Sequence, residues 1–223
     1  MSADLRALFL TKYPVSAGTT IYVDGVNGND AAAGATGTPK QTIAAGLAAI
    51  TNGQGGKVLV RNGTYAKQQI AGRNGASVSN WVHIMADVGH SPKIAAATDA
   101  PLIDVQTSTY LGFFGLEFAG VPITSGANDE EGIQVWMESH HISVWNCFAH
   151  DLGSTAIVSF EAGAPAGEGG PNHIDFCYNT VAHTAYWSYY DVSGISIQAP
   201  KNSLGGGNDS DGYSNRIIGN VLY

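Results

Sequence analysis

An Asn-x-apolar triplet that returns along the second half of the chain constrains the fold more than any other feature. Aligning Phe148 with Val181 and Leu222 puts Asn146, Asn179 and Asn220 in one column, two residues earlier. The same alignment sets His150 opposite His183, and pairing Phe118 with Phe148 brings Leu116 into the asparagine column. The intervals of 30, 33 and 41 residues are unequal. A solenoid behaves this way, because its strands keep their length while its loops vary. A sandwich has no reason to repeat a triplet at fixed places. Successive solenoid coils lie about 4.8 Å apart. An inward Asn at a coil corner can therefore donate its amide to the Asn above and accept from the one below, which places Asn146, Asn179 and Asn220 within hydrogen-bond reach of one another, and it can satisfy backbone groups that the bend leaves unpaired.

The rest of the sequence agrees. Short β-rich runs recur at residues 81–85 (WVHIM), 102–105, 111–118, 132–137, 141–148, 156–160, 173–181, 194–198 and 215–223, mostly separated by Gly, Asn, Ser or Pro. Twenty-nine glycines without a three-residue period supply turns, and charged residues, at only 13%, are too few for a surface of salt-bridged helices. The first third differs. Residues 1–19 read as an arm with a short helix, capped by Asp4, carrying Leu5, Leu8 and Phe9 on one face and ended by Pro14. A strand at 20–24, a glycine-rich loop, a helix at 42–50 and a strand at 57–60 then form one opening unit, closed by the Asn62-Gly63 turn. The expected division is an arm (1–19) and one solenoid domain (20–223), made of a cap unit (20–80) and coils (81–223). The helix at 42–50 is expected to cover the N-terminal end of the stack.

The formal net charge is −8, and the ten Lys and Arg are scattered, so no basic footprint for nucleic acid exists. An acidic polysaccharide would need a local basic spot or a bridging cation. No run approaches the roughly 18 apolar residues of a membrane span, and the first ten residues lack the basic start of a secretory signal. Cys147 and Cys177 are too few for a disulfide framework and read as small buried residues, with facing positions on neighbouring coils as the alternative.

The opening TIYVDGVNGNDAAAGATGTPKQTIAAGLAAI and the following GGKVLVRNGTY resemble the N-terminal cap of secreted right-handed parallel β-helix proteins, with Pro39, Thr42, Ile43, Gly63, Thr64 and Tyr65 matching directly. The later GLEF, GIQV and Asn-x-apolar motifs resemble the coils of pectate-lyase-like proteins. The resemblance implies an all-β fold, a right-handed single-stranded parallel β-helix with a small N-terminal α/β cap. It also implies an extracellular location, or a virion surface, and a polysaccharide partner. Fold does not fix reaction here, since lyases, glycosidases, epimerases, tailspikes and adhesins share it.

Lyase chemistry on a uronic acid needs the carboxylate neutralised, a base for the C5 proton and an acid for the leaving oxygen. The resemblance implies Asp-bound calcium and a Lys or Arg base. Lys201 and Arg216, the only Lys or Arg after Lys93, are the candidate bases, beside the His150 and His183 pair and Asp151. Asp191, Asp209 and Asp211 are the candidate calcium ligands. Trp187, Tyr189 and Tyr190, in an aromatic-rich loop, are the candidate sugar platform, because sugar C–H faces stack on aromatic rings; packing against the coil is the alternative. The leading expectation is a polysaccharide lyase or glycosidase. A non-catalytic tailspike, fibre or adhesin subunit is the alternative, and dispersal of Lys201, Arg216 and the histidine column over different faces would favour it. A further expectation is that self-association or a C-terminal continuation covers the last coil.

Overall fold

The computed structural model describes residues 3–95, 100–120, 130–160, 171–184, 194–197 and 215–223. Helix α1 (Ala3–Lys12) comes first, then β1 (Thr19–Val23), α2 (Ile43–Ala48), β2 (Gly56–Val60), β3 (Thr64–Tyr65) and β4 (Gln68–Ala71). The next coil is β5 (Val82–Ala86), β6 (Lys93–Ala95) and β7 (Ile103–Gln106). Three more follow: β8 (Thr109–Phe114), β9 (Glu117–Ala119), β10 (Ile133–Trp136); β11 (His140–Trp145), β12 (Phe148–Leu152), β13 (Ile157–Ser159); and β14 (Asn172–Cys177), β15 (Thr180–Thr184), β16 (Ile195–Ile197). Strands β17 (Arg216–Ile218) and β18 (Val221–Leu222) begin another.

Every ladder between these strands is parallel, and they stack into sheets of seven, six and five strands, visited in turn once per coil. This is a parallel β-helix. Alternation along each strand sends one row inward. In the seven-stranded sheet that row is Ile21, Val58, Ile84, Phe113, Val144 and Phe176, one per coil, all buried. Helix α2 closes the N-terminal end as expected, over a shorter span. Thr42 caps it through Oγ1 to the Ala45 N–H, and Ile43 and Leu47 join the core. Gly46 stands mid-helix because a Cβ there would come within 2.7 Å of Val23 and 2.9 Å of Val58.

The coil corners use left-handed backbone at equivalent positions. Gly115, Asn146, Tyr178 and Gly219 form one such column, with φ of 70°, 51°, 57° and 65°. Tyr110, His141 and His173 form another, and Asp151 and His183 a third. These columns correct the alignment of the asparagines. Phe148 pairs with Thr180, and Thr180 with Val221, so the position of Asn179 and Asn220 is held by Cys147 and Leu116 in the earlier coils. Asn146 belongs one residue earlier, in the left-handed column. His150 likewise pairs with Ala182, not His183. The inward ladder itself exists. Asn179 accepts from the Cys147 N–H at 2.9 Å and donates to the Val144 carbonyl at 2.9 Å. Asn220 accepts from the Asn179 N–H at 2.7 Å and donates to the Phe176 carbonyl at 2.8 Å. The bonds run from side chain to backbone between coils, not from amide to amide.

Helix α1 lies along the outer face of the seven-stranded sheet. Phe9 is fully buried there, its ring 4.8 Å from His83 and 5.1 Å from Phe114. The buried face is built on Phe9, with Leu5, Leu10 and Tyr13 beside it; Leu8, expected on that face, points to solvent. The sheet row beneath the arm is unusually polar: Lys57, His83, Gly112, Ser143, Asp175 and Arg216. Burial pushes the His83 imidazole down to about 3, with Lys57 adding a smaller push. The folded value lies below the ordinary one near 6.5, so the unfolded chain binds more protons between those limits. Stability from this group is complete above about pH 6.5 and falls as pH drops through the window, by up to about 1.4 kcal/mol per pH unit. His83→Met, which keeps an apolar side chain under Phe9, is expected to flatten the fall of the melting temperature between pH 7 and pH 4. Parallel wild-type and variant curves would show that His83 does not set acid sensitivity. At the other end, β16, β17 and β18 are the outermost strands of the three stacks, and Ile217, Ile218, Val221 and Leu222 are exposed there.

Candidate functional site

The outer face of the six-stranded sheet carries a histidine held between two carboxylates. Along β12 Phe148 and His150 face outward and Ala149 is buried between them, and the left-handed backbone at Asp151 then breaks the alternation and returns Leu152 to the core. Two residues apart on one face, the Phe148 and His150 rings stack at 4.4 Å and 22°. The neighbours of His150 in the adjacent strands are Ala119 and Ala182, whose small side chains leave the imidazole room.

His150 Nδ1 lies 2.7 Å from Asp151 Oδ2, and Nε2 lies 3.2 Å from Glu117 Oε1. A neutral ring donates through one nitrogen only, so both contacts are donated together only by the imidazolium. Glu117 also meets Lys93 Nζ at 2.9 Å, from the strand before it. Burial alone would raise the Glu117 carboxyl, but Lys93 and His150 outweigh it and hold the group below its ordinary value. Asp151 is lowered as well, first by its hydrogen bond with His150. The left-handed backbone at Asp151 turns its carboxylate back toward the ring, and at His183, the equivalent residue one coil later, it places Nδ1 3.5 Å from Asp151 Oδ1. His183 is 68% exposed. A cleft of about 440 Å³ opens beside this group, lined by Ser91, Glu117, Asn146, Phe148, Tyr178 and Thr180.

Of the predicted residues, His150, Asp151 and His183 therefore come together. Arg216 does not join them. It stands on the seven-stranded sheet, where Nε donates to Asp175 Oδ1 at 2.5 Å and Nη2 donates to Oδ2. Lys201, Trp187, Tyr189, Tyr190, Asp191, Asp209 and Asp211 lie outside the described residues. Among the described residues, no group of three or more His, Cys, Asp or Glu is arranged to hold a metal ion. Lys93 and Glu117 were missed in the sequence. Each is an isolated charge in an otherwise apolar strand, and only the register sets them beside His150.

A second outward surface lies on the five-stranded sheet. Trp136 and Phe160, at equivalent positions in adjacent coils, stack at 5.8 Å and 26°. Trp136 Nε1 donates to Asp104 Oδ1 at 2.6 Å, and Gln106 donates to Asp104 Oδ2 at 2.6 Å. This aromatic pair was also missed, because Trp136 and Phe160 sit in separate strands and share no motif.

No family model and no curated protein matches the sequence. Solved structures do match, and what they share with this chain is the parallel β-helix fold. A rhamnogalacturonan lyase aligns over 92% of this chain and 50% of its own, at 16% identity and TM-score 0.54. A GH136 lacto-N-biosidase from Eubacterium ramulus aligns over 77% of this chain and 36% of its own, at 16% identity and TM-score 0.58. Pectate lyase Pel9A aligns over 83% of this chain and 59% of its own, at 15% identity and TM-score 0.51. The chain thus spans between 36% and 59% of the length of these structures, and the likeness is one of fold. No described helix is long and apolar enough to cross a membrane.

Proposed function

We propose that this protein binds and cleaves an extracellular polysaccharide, with His150 as the group that moves the proton. The observation that carries this reading is the clamp on His150: two carboxylates, one on each ring nitrogen, of which Glu117 also lines the open cleft. Asp151 fixes the ring through Nδ1, and Nε2, at the longer 3.2 Å from Glu117, is the nitrogen that exchanges its partner for substrate, as general acid–base work requires. Lys93 pairs with Glu117 beside His150, so a uronate bound at this clamp would meet both a cation and a proton-transfer group. The neighbours in fold are named as polysaccharide lyases and a glycosidase, which supports the substrate class.

Incubation with a panel of uronic and neutral polysaccharides, read by mass spectrometry, tests the proposal. A lyase yields fragments with an unsaturated terminal sugar, and a glycosidase yields fragments that have gained water. Release of neither from any polymer, at long incubation, would overturn it. The second reading is a non-catalytic glycan-binding protein. It is favoured by the separation of Arg216 from the histidines and by the Trp136–Phe160 stack, which suits a sugar face. Binding to a polymer without products would select it.

A further inference from the structure

Where α1 runs out along the seven-stranded sheet, a small pocket of about 170 Å³ gathers Lys12, Tyr13, His141, His173, Asp175 and Arg216. Its centre is Asp175, 5% exposed. That carboxylate accepts from the Tyr13 hydroxyl and from two nitrogens of Arg216, and Lys12 Nζ stands 3.3 Å away. One carboxylate thus faces two permanent cations, and the local sum is one positive charge. Asp175 uses Nε and Nη2 of Arg216, which fixes the guanidinium plane; Nη1 takes no part in that pair. The His141 and His173 rings line the wall, stacked at 4.3 Å and 6°. In a chain of net charge −8 with ten Lys and Arg, two of those cations and two of seven histidines converge here.

We propose that this pocket binds an oxyanion group carried on a sugar, a carboxylate or a sulfate. The charge has the right sign, and Arg216 with Lys12 offers the N–H donors that planar and tetrahedral oxyanions accept from. The volume is below the roughly 300 Å³ at which pockets enclose a whole drug-sized ligand, so the pocket suits one charged group and part of its ring. The site lies on a different sheet from His150 and serves holding, not bond cleavage. Only the sugar as the source of the anion rests on the proposed function; the oxyanion chemistry stands on the pocket alone.

The test is a titration of the full chain with sodium sulfate, sodium galacturonate and uncharged galactose, at ionic strength held constant with sodium chloride. Histidine side-chain NMR and the melting temperature are read together. Sulfate, galacturonate or both should shift the His141 and His173 signals and raise the melting temperature, while galactose should do neither. Response to sulfate alone or to galacturonate alone identifies the source of the anion. Lys12→Gln is expected to weaken the response about tenfold or more, Lys12→Arg to retain it, and Lys67→Gln, on another face, to leave it unchanged. No histidine shift with either anion would overturn the proposal. So would an equal response in wild type and Lys12→Gln. Anion binding without cleavage of any polysaccharide would remove the catalytic reading and leave this one standing.

Discussion

Replacing His150 by alanine is expected to lower kcat on the cleaved polysaccharide by about 10²–10⁴-fold, the usual contribution of a positioned general acid or base. The fold should tolerate the change. His150 faces outward, its side chain is 19% exposed, and its neighbours across the sheet, Ala119 and Ala182, already place alanine in that row. A melting temperature close to wild type with activity lost would therefore assign the effect to chemistry. His150→Gln should be nearly as inactive, because an amide can keep a hydrogen bond to Glu117 or Asp151 but cannot take up or release a proton. Glu117→Gln should cost less, since it removes one clamp and one charge while the ring and Asp151 stay. Lys93→Met should raise KM for a charged polymer more than it lowers kcat, as expected for a group that meets substrate charge without taking part in proton transfer. Activity within threefold of wild type in His150→Ala would sink the assignment, whatever the polymer.

The solenoid was legible in the sequence because its signal is periodic and redundant. Strand runs of four to nine residues, glycine-rich corners and the opening cap all specify the same stack, and the core rows such as Val58, Ile84, Phe113 and Val144 follow. Register was legible only to within one residue at Asn146, for a physical reason. Two adjacent corner positions both favour asparagine. One needs a side-chain amide to satisfy the backbone of the next coil. The other needs a residue that tolerates left-handed backbone, where asparagine ranks behind glycine. A triplet search cannot separate these, and a one-residue slip also set His150 opposite His183. The site was half legible. His150 and Asp151 stood out as a sequence-adjacent pair, and the left-handed backbone that folds Asp151 back onto His150 follows from the corner. Lys93 and Glu117 reach the site through strand pairing across loops of variable length, which no local pattern encodes. Arg216 was singled out for its rarity alone, and rarity says nothing about which face of a coil a side chain takes. Its partner Asp175 lies in the preceding coil, 41 residues away.

The two corner asparagines can be told apart by stability. Asn179→Ala is expected to destabilise the protein by about 2–5 kcal/mol, since it strips the Cys147 N–H and the Val144 carbonyl of the bonds that Asn179 supplies, in a corner the structure shows as fully buried. Each buried group left unpaired costs about 1–3 kcal/mol. Asn179→Leu should recover part of the packing, because Leu116 fills the same position two coils earlier, but not the hydrogen bonds. Asn179→Asp should fare no better than alanine: it keeps an acceptor for Cys147 but turns an oxygen toward the Val144 carbonyl. Asn146 should behave in the opposite way. At φ 51° its backbone is the constraint, so Asn146→Gly should be neutral or slightly stabilising, in line with Gly115 and Gly219 in the same column. Asn146→Ala should lose about 1 kcal/mol, because alanine keeps the Cβ but lacks the short polar side chain that lets asparagine tolerate left-handed backbone. Urea unfolding midpoints for the five variants give the comparison directly. If Asn179→Ala and Asn146→Ala cost the same, or if glycine at 146 is as harmful as alanine, the two columns do not divide the work of the corner between hydrogen bonding and backbone geometry.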